Sequence, residues 1–213
     1  MKTKDLKATI QKRSREEKLA QFYGQLDKAC AVLDVGVSRL ELHNRRAPAN
    51  HFLKTFRFAP ECYTGLAVDD MTGMAELYPG KTFVHYDGRV FPFDDKRFDA
   101  VFSNAVVEHV GDRERQLLFI NEMLRVGKWV FFTTPNKWFP VETHTGALLR
   151  HWSDAPFFRW CETHHPHYTK GNLNLLGHAD LERLMRESNA RDYRIRANRL
   201  LGWPMTFTVT CSG

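Results

Sequence analysis

Ala31-Val32-Leu33-Asp34-Val35-Gly36 is a short apolar run that closes on an acidic residue and a glycine, and its pattern returns three times downstream. Tyr63-Thr64-Gly65-Leu66-Ala67-Val68 stops at Asp69-Asp70. Phe83-Val84-His85-Tyr86 stops at Asp87-Gly88, and Phe98-Asp99-Ala100-Val101-Phe102 stops at Ser103-Asn104. Runs of this length bounded by turn formers read as strands buried on both faces. In an open α/β sheet, ligands bind just outside the carboxyl ends of the strands. Four such ends carrying small polar residues predict one site assembled from four separate places in the chain.

Helical patterns separate these runs. Residues 1–29 predict a leading helix, free of proline from Leu6 to Lys28, with Leu6, Ile10, Leu19, Phe22, Tyr23 and Leu26 as a partial apolar stripe that packs on the domain or overhangs its site. Val37 to Ala47 is polar and arginine-rich and reads as a long loop. Pro48 suits the first turn of a helix that turns Phe52, Leu53 and Phe56 inward. Thr72 to Tyr78 reads as a short helix stopped by Pro79-Gly80. Asp112 is an N-cap, with Glu114 in the first turn; Leu117, Ile120, Met123 and Leu124 form the buried face, and Gly127 ends the helix. Trp129 to Thr134 is a fifth strand, closed by Pro135-Asn136. Ala179 to Ser188 is the last helix, and Tyr193 to Ala197 and Thr206 to Cys211 are terminal strands. The alternation predicts one α/β domain over residues 1–213, with a doubly wound, mostly parallel seven-stranded sheet. Residues 137–177 break the rhythm. They are dense in aromatics and histidines, from Trp138 and Phe139 to His167 and Tyr168, and predict a helical, aromatic cap folded over the strand ends.

Composition narrows the function. With 43% hydrophobic and 26% charged residues among 213, the chain is an ordinary globular one, and no apolar run approaches a membrane span. Its first residues lack the apolar core of a signal peptide. The four cysteines, Cys30, Cys62, Cys161 and Cys211, are scattered and read as reduced thiols of a cytoplasmic protein. The net charge of +6 is spread out, apart from modest clusters in the first eighteen residues and at Arg191, Arg194, Arg196 and Arg199. Neither cluster has the interleaved aromatics of a single-strand groove, which disfavours nucleic acid as partner. Oligomeric state leaves no mark on the sequence.

In these motifs the chain resembles the S-adenosylmethionine-dependent methyltransferases of the Rossmann-like class, especially their small-molecule branch. The resemblance is carried by Val32-Leu33-Asp34-Val35-Gly36, Asp69, Asp87-Gly88 with Phe91-Pro92-Phe93, Phe98 to Asn104, Val107-Glu108-His109-Val110, Leu124-Arg125-Val126 and Thr133-Thr134-Pro135-Asn136. It implies S-adenosylmethionine as cofactor, held by Asp34, Val35, Gly36, Asp69, Asp70, Asp87, Gly88, Ser103 and Asn104. Asp69 would accept both ribose hydroxyls, with Asp70 as the alternative, and Asp87 would accept from the adenine amino group. Asp34 would attract the ammonium of the amino-acid tail, and Gly36 would let backbone come close to the ligand. Ser103 and Asn104 would lie near the tail and sulfonium. Asp99, inside its strand, reads as structural. The chain departs from the family where Gly36 is followed by Val37-Ser38-Arg39 instead of a second glycine. Asp69 also lies well beyond the usual interval of about 20 residues to the ribose carboxylate. The intervening loop offers Arg39, Asn44, Arg45 and Arg46 for the tail carboxylate.

Methyl transfer from a sulfonium is an in-line displacement that proximity and alignment can largely drive. A base is needed when the acceptor is a hydroxyl or a protonated amine. His109 is the first candidate, and His144, with Glu142 to orient it, is the second. Cys161, His164, His165 and His167 match no closed zinc set, and no metal ligands are assigned. The aromatic cap favours an apolar or aromatic small-molecule acceptor. Two other readings share the fold: a catalytically inactive scaffold subunit, and a nucleic-acid or protein methyltransferase. The latter lacks the Asn/Asp-Pro-Pro-Tyr/Phe signature of amino methylation.

Overall fold

Alternate residues of the central strands point to opposite faces of one sheet, and both faces are covered. The computed structural model describes residues 3–26, 28, 31–44 and 49–213. Strands β1 (Val32–Val35), β2 (Tyr63–Ala67), β3 (Thr82–His85), β4 (Phe98–Asn104) and β5 (Gly127–Pro135) run parallel, and β6 (Asp192–Leu200) and β7 (Trp203–Ser212) form an antiparallel hairpin beside β5. The order across the sheet is β3-β2-β1-β4-β5-β7-β6. The chain reverses its direction of winding between β1 and β4, the place where ligands bind in open α/β sheets.

On one face Leu33, Val101, Val130 and Phe132 pack with Phe119, Ile120 and Met123 of helix α5 (Arg113–Val126) and with Leu181 and Leu184 of helix α7 (His178–Glu187). On the other, Val32, Ala100, Phe102 and Phe131 pack with Leu19 and Phe22 of helix α1 (Thr3–Tyr23), with Phe52 and Leu53 of α3 (His51–Lys54) and with Met74 of α4 (Met74–Leu77). This period of two is why the strand sequences are apolar almost throughout. Phe22 is fully buried, its ring 5.2 Å from Phe52, 5.3 Å from Phe102 and 5.6 Å from Phe131, all edge-on. Such ring pairs add to the burial of large apolar area and fix α1 across the sheet.

The segment read as a loop from Val37 to Ala47 contains a single helical turn, α2 (Leu40–His43). Leu42 packs against the α1-side core, and Ser38 Oγ accepts from the Leu40 amide at 3.2 Å. One apolar anchor and a local hydroxyl suffice for a turn too short to register as a periodicity. The expected helix start at Pro48 lies outside the described residues, and α3 begins after Asn50, whose backbone is left-handed (φ 53°).

Arg125 explains two of the motifs. Its guanidinium pairs with Glu122 at 2.7–2.8 Å and donates to the carbonyls of Phe91 and Phe93, while Glu122 accepts from the Phe91 amide. The Phe91-Pro92-Phe93 loop is thereby clamped to α5. Asp99 ties the amino ends of the strands, accepting from the Ala31 amide at 3.1 Å and from Lys128 at 2.8 Å. Helix α6 (Asp154–His164) and a small cluster of Ala147, Phe157, Cys161 and Leu173 make a separate core within residues 137–177.

Asp112 is the N-cap of α5, its carboxylate accepting from the Arg115 amide at 3.1 Å. Replacing Asp112 with Ala is expected to lower the unfolding free energy by about 1 kcal/mol, read as a shift in denaturant midpoint with an unchanged slope.

Candidate functional site

Just beyond β1 the backbone turns at Gly36, with φ +94°, and a Cβ there would sit 2.3 Å from Cγ2 of Val106 in the turn after β4. Only glycine lets the two strand ends approach this closely. Beside the turn lies a cavity of about 240 Å³, lined among others by Arg15, Lys18, Asp34, Gly36, Asn50 and Asn104. Asn50 clasps the loop, accepting from the Ser38 amide at 2.8 Å and donating to the Ser38 carbonyl at 2.6 Å. Another cavity of about 210 Å³, lined by residues of α5, α7 and the cap, shares none of these residues.

Asp34 is buried and accepts a 2.5 Å hydrogen bond from the Tyr63 hydroxyl. Burial pushes its carboxyl up to about 7, against the opposing pull of the Tyr63 hydrogen bond and the Lys81 charge. Lys18 is also buried, and burial brings its ammonium down to about 8 despite the nearby Glu108. Its Nζ donates to Asn104 Oδ1 at 3.4 Å. Burial lowers Arg15 too, and its Nε has no hydrogen-bond partner among the described residues.

The residues expected to gather here divide. Asp34, Val35, Gly36 and Asn104 line the cavity. Ser103 is buried within the sheet, level with Val35 and Phe132 of the neighbouring strands, and does not line it. Asp69, Asp70, Asp87 and Gly88 are exposed beyond the ends of β2 and β3, outside this cavity. Asp70 is occupied by the Thr72 amide and hydroxyl, and Asp87 Oδ1 by the Arg89 amide at 2.8 Å, so both also serve as turn formers. His85 Nδ1 lies 3.2 Å from the Asp69 carbonyl, bringing these two strand ends together. Arg39 and Asn44 are exposed and do not line the cavity, and Arg45 and Arg46 lie outside the described residues.

A second group of polar side chains stands one residue further along β5. Asn104 accepts from Thr133 Oγ1 at 2.8 Å, and Thr134 Oγ1 donates to Glu108 Oε2 at 3.0 Å. Glu108 is fully buried, and its Oε1, without a hydrogen-bond partner among the described residues, lies 3.8 Å from His144 Nε2. His144 Nε2 is 3.0 Å from His109 Nε2. His144 Nδ1 meets Glu142 at 2.6 Å, and His109 Nδ1 meets the Asn172 carbonyl at 2.9 Å. Burial would raise the Glu142 carboxyl, but the hydrogen bond and charge of His144 and the amides of His144 and Thr145 hold it down at about 2. The two histidines expected as bases are thus in contact, one from the β4 turn and one from the cap. Cys161, by contrast, is buried in the cap core, and His164 stacks on Trp160 with ring centroids 4.8 Å apart.

Residues 33–132 match the family described as a methyltransferase domain. A methyltransferase of Thermotoga maritima, described as S-adenosylmethionine-dependent and a possible histamine N-methyltransferase, superposes with a TM-score of 0.53 at 13% identity, over 92% of this chain and 86% of that one. Residues 33–132 thus carry the pattern of a methyltransferase domain, and the chain shares the Rossmann-like fold of S-adenosylmethionine-dependent methyltransferases. A second such methyltransferase, from Methanosarcina mazei, has the same fold at 14% identity and a TM-score of 0.53, over 88% and 93% of the two chains. PigF with SAH aligns at 12% identity and a TM-score of 0.52, over 88% of this chain and 57% of that one. No curated protein matches the sequence significantly.

Sequence reasoning passed over two residues of the Gly36 cavity, Arg15 and Lys18. Together with Leu19 and Phe22 they occupy positions i, i+3, i+4 and i+7 of α1, the spacing of a buried face. Two cations on the apolar stripe of a helix were the available signal.

Asp34 makes stability pH-dependent. The folded carboxyl titrates near 7, against 3.8 for the ordinary group. Between these values the folded state holds a proton that the unfolded chain has lost, so stability falls as pH rises through this window. Asp34→Asn removes the penalty. Its Tm relative to wild type is expected to climb by several degrees from pH 4 to pH 8, and a pH-independent difference would show that Asp34 is ionised throughout.

Proposed function

We propose that this protein is a methyltransferase that carries the methyl group of S-adenosylmethionine to a small-molecule acceptor by in-line displacement. The observation that carries the reading is the pairing of the Gly36 cavity, with its buried Lys18 and half-buried Arg15, and the histidine cluster one strand position away. In this reading Arg15 and Lys18 receive the tail carboxylate, in place of the loop arginines, and Asp34 attracts the ammonium. Asn104 stands beside the sulfonium. Asp69 takes the ribose hydroxyls, with Asp70 as the alternative, and Asp87 and Gly88 border the adenine, beyond the cavity along the strand ends. His109 and His144 stand where the acceptor arrives and loses its proton.

Several features favour a small, apolar or aromatic acceptor. Residues 137–177 cover the ends of β4 and β5, with His144, Asn172 and Asn174 meeting Glu108 and His109. Tyr168 lies over the His109 ring at 6.5 Å, and Trp138 and Trp152 are partly exposed nearby in sequence. Among the described residues no helix is long and apolar enough to cross a membrane. The buried thiols of Cys161 and Cys211 suit a cytoplasmic protein.

Calorimetric titration with the demethylated cofactor tests the reading. Binding is expected, and Asp69→Ala and Arg15→Ala should each weaken it by roughly tenfold, the scale of a lost charged hydrogen bond. No binding at millimolar ligand would favour the inactive scaffold instead. His109→Ala should lower turnover by on the order of a hundredfold while cofactor affinity stays within a factor of two. Unaltered turnover would remove His109 from the chemistry.

A further inference from the structure

We propose that Glu108, His109 and His144 form a binding site for one divalent first-row metal ion, with its remaining positions open to a hydroxyl or water oxygen. The acceptor's part in this rests on the methyl-transfer reading; the ion site itself does not.

His109 Nδ1 faces a backbone carbonyl, and His144 Nδ1 faces Glu142, whose two oxygens already accept from the His144 and Thr145 amides and the Thr145 hydroxyl. Both partners only accept, so both Nδ1 atoms carry hydrogen. In the neutral rings the two Nε2 lone pairs then point at each other across 3.0 Å. That contact is repulsive unless a cation lies between or beside the two nitrogens. A single shared proton would answer it for the pair alone.

The third group distinguishes a metal from a proton. Glu108 Oε1 is fully buried, has no hydrogen-bond partner among the described residues and is turned toward the same point, 3.8 Å from His144 Nε2. A buried carboxylate oxygen left without a partner is costly, and a cation coordinated by all three groups removes that cost. The three donor atoms lie within 4.8 Å of one another, a spacing that ligand bonds of about 2.0–2.2 Å can close with small side-chain shifts. The surroundings are those of metal-binding histidines, each ring's far nitrogen being held by a carbonyl or a carboxylate. Thr134 fixes the other Glu108 oxygen at 3.0 Å. Two imidazoles and one carboxylate suit zinc, iron(II) or manganese(II), and three protein ligands leave positions for exogenous oxygen.

Such an ion would join the cap to the sheet and select a hydroxyl acceptor. With the acceptor oxygen on the ion, its O–H proton leaves to solvent. The oxygen lone pair forms the new O–CH3 bond, and the S–CH3 bond breaks with its electron pair remaining on sulfur. The products are the methyl ether, the neutral demethylated thioether and one proton.

The test uses the full chain, stripped with a chelator and dialysed against Mn2+ or Zn2+, with metal content measured by mass spectrometry and Tm recorded with and without metal. One ion per chain and a raised Tm are expected. His144→Ala and Glu108→Gln should weaken uptake by at least tenfold, and Glu142→Gln by roughly tenfold through the ring it orients. A variant with His164, His165 and His167 replaced by Ala should bind as wild type. If Glu108→Gln fails to fold, His109→Ala and His144→Ala, at partly exposed positions, carry the comparison. Absence of uptake and of any Tm shift at millimolar metal would overturn the proposal, as would uptake indifferent to His109 and His144; the pair then shares a proton. Titrating the metal-free protein with the demethylated cofactor keeps the two readings apart. Cofactor binding without metal uptake sinks the ion alone, whereas metal uptake without cofactor binding sinks the donor reading alone.

Discussion

The close approach of Gly36 to Val106 sets the geometry on which both polar sites depend. A left-handed backbone and a missing Cβ allow the chain leaving β1 to touch the turn leaving β4. Val106 stands between Asn104, which lines the cavity, and Glu108 and His109, which belong to the histidine cluster. Ala105, itself at φ 58°, completes the bend. A few residues in uncommon conformations therefore hold two chemically different surfaces side by side, at the point where the sheet changes its winding.

Most of the sheet was legible because its strands are short, apolar and punctuated. The Asp112 cap and the α5 stripe could be read directly, since each depends on neighbours within one turn. The α2 turn could not, because it rests on the packing of Leu42 against residues far away in sequence. The site was legible in part for the same reason. Asp34, Gly36 and Asn104 announce themselves by standing at or just past the carboxyl end of an apolar run. Whether Asp69 and Asp87 face the same cavity depends on how loops of unequal length leave β2 and β3, and both are exposed outside it. Ser103 shows a further limit: β4 continues two residues past Phe102, which carries the hydroxyl into the sheet. The contact between His109 and His144 joins the β4 turn to a cap loop, and no local pattern encodes it.

Helix α1 has two duties. Phe22 anchors it among three rings of the core, while Arg15 and Lys18 project from the same face into the cavity. Lys18 sits close enough to Glu108 for their charges to interact, so the cavity and the histidine cluster share one electrostatic environment. The apolar half of the stripe supplies the burial energy that holds the desolvated cations in place, an expense that an exposed helix could not meet.

Asp34 gives ligand entry the character of an ion exchange. Near neutral pH its carboxyl retains a proton for a large part of the time because burial penalises the charged form. Any cationic group that settles beside it must expel that proton, and the heat of association would then vary with the ionisation enthalpy of the buffer.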